Sequence, residues 1–386
     1  MVTDNSGRIQ EIVPEAAAGD DVQKLAGILV PGFINCHCHL ELSHLKNVIP
    51  PGTGLVEFLC QVVTKRESAP SKYPSTGETY GDSVKLKMQA IISAEKEMYD
   101  NGIVAVGDIG NTADTADVKS KSKIWWQNFV EVLSFTDAKA DENIAHFKQV
   151  LHALAQSLGK SPTPHRSSLV PHAPYSISPK TFQLINELTK DEIISIHNQE
   201  HPAEDELYET GGGDYLRLFK IFGVNHSPFP ITGKSSIRSY LPHFNNGQTI
   251  FLVHNTYMSE QDILFANDYA NEHELKLIYC LCPNANLYIE SKLPPLELFI
   301  RHNCNVVLGT DSYSSNWQLN IAKEMQAVVA MPRFETVASL EQVLQWATIN
   351  GARALRWDDE LGSFKKGKRP GVVQLDNQSW TSKRLI

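Results

Sequence analysis

The chain has 386 residues, 42% of them hydrophobic, and a formal net charge of −9. That length suits one large barrel plus a minor domain, and the acidic balance argues against a basic grip on nucleic acid. No basic amphipathic run suggests a membrane surface and no apolar stretch approaches a membrane span; the six scattered cysteines lack the density of a disulfide scaffold, so a reducing, cytoplasmic setting is expected.

Met1 to Arg8 carries no apolar signal core. Gly7-Arg8-Ile9 and then Leu25 to Gly32 read as short strands with turns. Apolar runs of strand length follow at Gly27–Asn35, Ile103–Ile109, Phe129–Phe135, Ser168–Pro171, Ile193–Ile196, Thr249–Val253, Leu275–Cys282 and Asn305–Leu308. Their β-branched character suits parallel strands buried on both faces. Helical spacing lies between them, at Val84–Asp100, Asn143–Leu158, Ser259–Asn271, Leu296–His302 and Leu340–Ile349. Two of these stretches stop at Asn101-Gly102 and Gly159, suitable C-terminal caps. Eight strand–helix alternations predict a parallel sheet closed into a barrel.

Two stretches exceed a minimal barrel. One runs from Glu41 to about Gly81 and includes Pro50-Pro51-Gly52 and Ser71–Thr79; the other runs from His201 to Asn246. They read either as surface loops or as walls of a substrate pocket at the catalytic mouth. Past the barrel, Gly362 to Gly367 precedes Val372 to Leu375, again short strands with a turn. The expected organisation is α/β: a (β/α)8 TIM-type barrel over residues 31–356, with a small β-sandwich-like domain from residues 1–30 and 357–386.

The chemistry lies at the strand ends. His37 and His39 close the first apolar run, and residues i and i+2 of a strand point to one side. Imidazole is the commonest side-chain ligand for zinc and related ions. Later runs end in His172, His197, His254 and Asp311, positions that converge on one mouth in a closed parallel barrel. Three imidazoles and a carboxylate suit a divalent ion that keeps a position for water, and such an ion makes hydroxide available near neutral pH. Glu200, three residues after His197, can reach the site without ligating; near apolar walls its carboxyl can carry a proton. The alternative for Glu200 is a carboxylate favoured at a helix N-terminus.

Taken in order, the motifs resemble the amidohydrolase superfamily, in its deaminase and chlorohydrolase branch. They are Pro31-Gly32-Phe33-Ile34-Asn35 before His37-x-His39-Leu40-Glu41, then Val170-Pro171-His172-Ala173-Pro174-Tyr175, His197-x-x-Glu200, and His254-Asn255. Further on come Cys282-Pro283-Asn284-x-Asn286-Leu287, Gly309-Thr310-Asp311-Ser312, and Gly362-Ser363 through Gly367 to Val372. The resemblance spans almost the whole chain. It implies His37, His39, His197 and Asp311 as metal ligands. It implies His254 as the residue that polarises the bound water, or in some members a further ligand. Glu200 would shuttle a proton to a ring nitrogen, Asp311 would accept the proton from water, and His172 would touch substrate. No lysine lies in Ser167–Ser178 to bridge two ions, so one divalent metal is expected, zinc first, with iron or manganese as alternatives.

The expected activity is hydrolytic deamination of a nitrogen heterocycle, a nucleobase or nucleoside-like small molecule, with release of ammonia through metal-bound hydroxide. The rivals are cleavage of a ring amide or carbon–halogen bond, and a non-catalytic metal-binding member of the family. Nucleic acid and membrane are not expected partners, and a homodimer is, because relatives are often dimers. Gly233-Lys234-Ser235 lacks the earlier glycine of a phosphate loop. Cys280 and Cys282 are expected to be buried rather than zinc-binding. Trp125-Trp126 read as packing residues ahead of the third strand. Tyr175 and Trp317 are candidates for stacking on a flat ring, with packing as the equal alternative.

Overall fold

The computed structural model describes residues 1–19, 22–66 and 80–386, with side chains in the last stretch from residue 84 on; the expected Ser71–Thr79 segment lies outside the described residues. Two four-stranded sheets, all parallel, dominate the molecule. One is formed by Phe33–Cys38, Ile103–Gly110, Trp125–Val132 and His165–Pro171. The other is formed by Ile193–Asn198, Thr249–His254, Lys276–Leu281 and Val306–Leu308. These are the eight runs expected from the sequence. The strand residues are almost all buried, as parallel strands covered on both faces require.

The sheets touch at both pairs of outer strands. The N–H of His197 donates to the carbonyl of His172 at 3.0 Å, and the Ser168 hydroxyl donates to the carbonyl of Ile193 at 2.6 Å. At the other edge Cys38 and Asp311 form a parallel bridge, and the N–H groups of Thr310 and Asp311 both donate to the carbonyl of His37 at 3.0 Å. The Asn35 side chain clasps Thr310 there, accepting from its N–H and donating to its hydroxyl.

The first expected strand, Gly27–Asn35, is corrected to two strands. Ile28–Pro31 pairs antiparallel with Val372–Asp376, which pairs antiparallel with Thr381–Arg384. Phe33–Cys38 then starts the first parallel sheet. The chain changes sheets at Gly32, where a Cβ would collide with the Val104 side chain and the Pro370 carbonyl. Continuous hydrophobicity hides this break, because both halves are strands. The third strand also begins earlier than expected, so Trp125 and Trp126 lie inside it.

Helices connect the strands, including Tyr80–Asp100, Ala140–Leu158, Glu260–Glu272 and Leu296–Arg301. The expected Leu340–Ile349 helix ends at Ala347, and a second helix runs Ile349–Ala354. The described parts of the longer insertions carry helices. The first contains the helix Leu55–Lys65; the second contains Pro202–Thr210, Tyr215–Ile221 and Ser236–Tyr240. Their apolar faces share a cluster separate from the main core, with Leu55, Phe58, Tyr175, Tyr215, Leu218 and Phe219 among its buried members. No helix among the described residues is long and apolar enough to cross a membrane.

Candidate metal and active site

Strand geometry brings the expected residues together. His37 lies in the first parallel strand and His39 just beyond it; His197 and His254 belong to the strands of the second sheet. Asp311 follows the last strand. Asp311 and His254 take positive φ values of 56° and 73°, a conformation that costs a non-glycine residue about 1–3 kcal/mol and clusters at functional sites. Cross-strand bonds hold these turns: Asp311 N–H to His37 C=O, and Asn255 N–H to Asn198 C=O at 3.0 Å.

His39 Nε2 lies 3.2 Å from His37 Nε2 and 3.3 Å from His197 Nε2. Asp311 Oδ1 lies 3.6 Å from His37 Nε2 and 3.5 Å from His39 Nε2. A tetrahedral ion with metal–nitrogen distances near 2.05 Å separates its donors by about 3.3 Å, so this donor set has the spacing and chemistry of a zinc-type site. His197 Nδ1 donates to the His172 carbonyl at 2.7 Å, which leaves Nε2 bare and free to accept a cation. His37 Nδ1 is buried without a hydrogen-bond partner. Burial holds the imidazoles of His37, His39 and His254 well below the ordinary histidine range. Burial would raise the Asp311 carboxyl, but His39, His254 and the Ser315 hydroxyl, 2.6 Å away, outweigh it and hold that carboxyl low. Neutral imidazoles and an ionised carboxylate are the forms that bind a cation.

Glu200 is buried beside this cluster, its Oε1 3.6 Å from His254 Nε2. Burial first, then the carboxylates of Asp311, Glu204 and Glu290, raise its carboxyl well above the usual range. The first-turn role weighed for Glu200 falls to its neighbours. His201 caps the helix Pro202–Thr210, and Glu204 accepts from the Gln199 N–H at 3.0 Å. Glu200 precedes the cap and lines the cleft. On the far side of His254, the Asn286 amide nitrogen is 3.3 Å from Nδ1.

The cleft over these groups measures about 840 Å³, including the space open to solvent at its mouth, within the range of small-molecule sites. His39, His197, Glu200, His254, Asp311 and His172 form its polar floor. Both insertions wall it, through Leu55, Phe58 and Val62 from one and Leu218 and Phe222 from the other. The described parts of both stretches therefore wall this cleft. His172 bonds Ser176 Oγ through Nδ1 at 2.7 Å. Tyr175 lines the cleft and stacks on Tyr215 at 4.1 Å. Trp317 instead packs on Tyr288 and is 45% exposed, away from the lining residues. Cys280 and Cys282 are buried and free.

Three lining or supporting residues, Glu131, Asn111 and Arg66, escaped the sequence reading, and Glu41 entered it only as part of a motif, with no role. Glu131 sits on the cleft wall, its second oxygen accepting from Asn111 Nδ2 at 3.0 Å. Asn111 is held by Arg66 Nη1 at 2.8 Å, and Arg66 pairs with buried Glu41. The one available signal was an acid interrupting the apolar run Phe129–Phe135.

The sequence pattern of the Amidohydrolase family matches residues 28–382. The chain is 24% identical to a 5-methylthioadenosine/S-adenosylhomocysteine deaminase of Thermoanaerobacter pseudethanolicus, over 95% of this chain and 78% of that protein. It is 26% identical to an aminodeoxyfutalosine deaminase of Nitratiruptor sp., over 94% of this chain and 82% of that protein. Its fold resembles the crystal structure of an adenosine deaminase from Xanthomonas campestris with bound zinc, with a TM-score of 0.69 at 22% identity, covering 96% of this chain and 78% of that one.

Proposed function

The chain belongs to the amidohydrolase family, and we propose that it is a metal-dependent hydrolytic deaminase of a nucleoside-like heterocycle. Water replaces the amino group on a ring carbon, and ammonia is released. The relatives' names as adenosine-type deaminases support this activity. The observation that carries the reading is the convergence of His37, His39, His197 and Asp311 at tetrahedral donor spacing, with Glu200 beside them.

These four residues would hold one divalent ion, and the zinc in the Xanthomonas campestris structure favours that metal. When bound, the ion supplies water acidic enough to act as a nucleophile near neutral pH. Asp311 would take a proton from the attacking water. Protonated Glu200 delivers its proton to the ring nitrogen next to the amino-bearing carbon, making the carbon more electrophilic. His254, with Nε2 facing Glu200, orients the attacking oxygen. Asp311 would then give its proton to the amino group, which leaves as ammonia, and the hydroxyl proton released as the carbonyl forms would restore Glu200.

The architecture in this reading is a closed (β/α)8 barrel over residues 31–356, supported by the hydrogen bonds at both sheet edges. Residues 1–30 and 357–386 form the small β-domain, supported by the three-stranded sheet shared between the termini.

The test is ammonia release from aminopurine nucleosides, pterins, pyrimidines and triazines by zinc-loaded protein, beside elemental analysis. Turnover of at least one nucleoside with one metal per chain is expected. Stoichiometric metal with no ammonia from any substrate, or chloride release from chlorinated analogues alone, would overturn the proposal.

A further inference from the structure

Glu290 closes the helix Pro283–Glu290, which follows the strand Lys276–Leu281. Its side chain is 9% exposed and lies behind the cleft lining, to which the neighbouring Ile289 belongs. Oε1 accepts from the Leu55 N–H at 2.5 Å, at the start of the helix Leu55–Lys65 in the first insertion. Gly54, just before that helix, has no side chain to cap it. A carboxylate from another element therefore meets an N–H that the helix cannot satisfy itself, and its charge suits the N-terminal end of the helix dipole. Oε2 accepts from the Tyr257 hydroxyl at 3.3 Å. Tyr257 lies in the loop after His254, and its N–H donates to the carbonyl of Gln199, the neighbour of Glu200. The second insertion approaches from the other side, with His201 Nε2 3.9 Å from Oε1. His201 Nδ1 accepts from the Ala203 N–H at 3.1 Å, at the start of Pro202–Thr210, which puts the ring proton on Nε2, toward Glu290. One carboxylate thus stands where both insertions meet the loop that follows His254.

We infer that Glu290 is a positioning residue that locks both inserted walls onto the cleft floor and thereby sets how large an appendage the outer cleft takes. The part about the appendage rests on the deaminase reading of the same cleft. Leu55, Phe58 and Val62 from one wall and Leu218 and Phe222 from the other line the cleft, so the placing of these helices decides its width. The walls otherwise meet through apolar packing and through the exposed pair Glu57–Arg217. Apolar contact is non-directional, and an exposed pair contributes little. The Gly52 and Gly54 N–H groups also bond the carbonyls of Tyr288 and Ile289, which hinges the first wall on the helix that ends in Glu290. At that hinge the carboxylate fixes a direction, and its removal leaves the N–H of buried Leu55 unmet.

The experiment follows hydrogen exchange in the zinc-loaded full chain for wild type, Glu290→Ala, Glu290→Gln and Arg217→Ala. In Glu290→Ala the amides of Leu55–Lys65 and Pro202–Thr210 should exchange roughly tenfold faster or more, the equivalent of one lost charged hydrogen bond. Glu290→Gln, whose amide oxygen can still accept from Leu55, should fall between. Arg217→Ala and the parallel strands of every variant should stay near wild type. Calorimetry and ammonia release are then measured on 6-aminopurine and 9-benzyl-6-aminopurine, the second carrying an apolar group toward the walls. Glu290→Ala should weaken binding or raise KM roughly tenfold for the benzyl compound alone. Zinc content should hold, and so should kcat on the plateau of its pH profile. The plateau matters because Glu290, after burial, Asp311 and Glu204, helps to keep the proton on Glu200. Unaltered exchange in both walls, or equal losses on both compounds, would overturn the inference. If Glu290→Ala fails to fold, Glu290→Gln decides by the same comparisons. Faster exchange with no ammonia from any compound removes the deaminase reading and leaves the lock standing. Ammonia with unaltered exchange removes the lock alone.

Discussion

Asp311 and His37, from opposite ends of the chain, are joined twice. The N–H of Asp311 donates to the His37 carbonyl at 3.0 Å, and the Asp311 carboxylate lies 3.6 Å from His37 Nε2. The backbone bond sets the register that the side chains need. The close approach depends on Gly309, where a Cβ would lie 2.7 Å from His37 Cβ and 2.9 Å from its backbone nitrogen. Gly309→Ala should therefore push the first and last strands apart, at a cost of about 1–3 kcal/mol. Thermal unfolding should show lower stability, and metal titration weaker zinc binding. An unchanged zinc affinity would mean that the donors do not depend on this contact.

Glu200→Gln should keep the fold and the metal and lose most turnover. Glutamine fills the same space but cannot carry the proton, so kcat should fall by roughly 10²–10⁴. Ammonia release and zinc content, measured on one preparation, check this. Full activity on a proven substrate would remove Glu200 from the mechanism.

Glu204 gives stability a pH dependence. Burial, aided by Asp205, raises its carboxyl from 4.5 to about 8, against hydrogen bonds from the Ser236 hydroxyl and the Gln199 N–H. Between those values the folded chain holds a proton that the unfolded chain has released. Stability should therefore be greatest below the unfolded value and fall as pH rises toward about 8. Glu204→Gln removes this contribution. The stability of wild type relative to the variant should drop across that window by on the order of 5 kcal/mol. Denaturant unfolding at several pH values measures it; a constant difference would contradict the assignment.

Asp108 and Lys119 form a buried ion pair at 2.5 Å, and Asp108 also accepts from the Leu40 N–H at 2.8 Å, just past His39. Lys119→Ala leaves that carboxylate uncompensated and should cost about 3–5 kcal/mol. Arg217→Ala breaks the Glu57–Arg217 pair, whose side chains are 42% and 53% exposed, and should cost no more than about 1 kcal/mol. Chemical denaturation of both variants tests the contrast.

The sequence displayed the strand ends well, because parallel strands buried on both faces are nearly pure apolar runs and any polar residue closing one stands out. His37, His39, His197, His254 and Asp311 were legible for that reason. Glu131 and Glu41 were not. Their significance depends on Asn111 and Arg66, which come from other elements, and nothing local marks a carboxylate whose partner is distant in sequence. The divided first strand was equally hidden, since Gly32 interrupts the sheet without interrupting hydrophobicity. Trp317 took the packing alternative, on Tyr288: proximity to a strand end does not aim a side chain inward.

The walls of the cleft come from two insertions, whereas its polar floor comes mainly from strand ends. In the deaminase reading, the groups proposed for the chemistry and the apolar walls around the ligand are thus mounted on separate supports. Exchanges at Phe58, Leu218 or Phe222 can recut the canopy to admit a different appendage while the proposed cation-holding groups keep their places. A lineage built this way can change its diet without relearning its reaction.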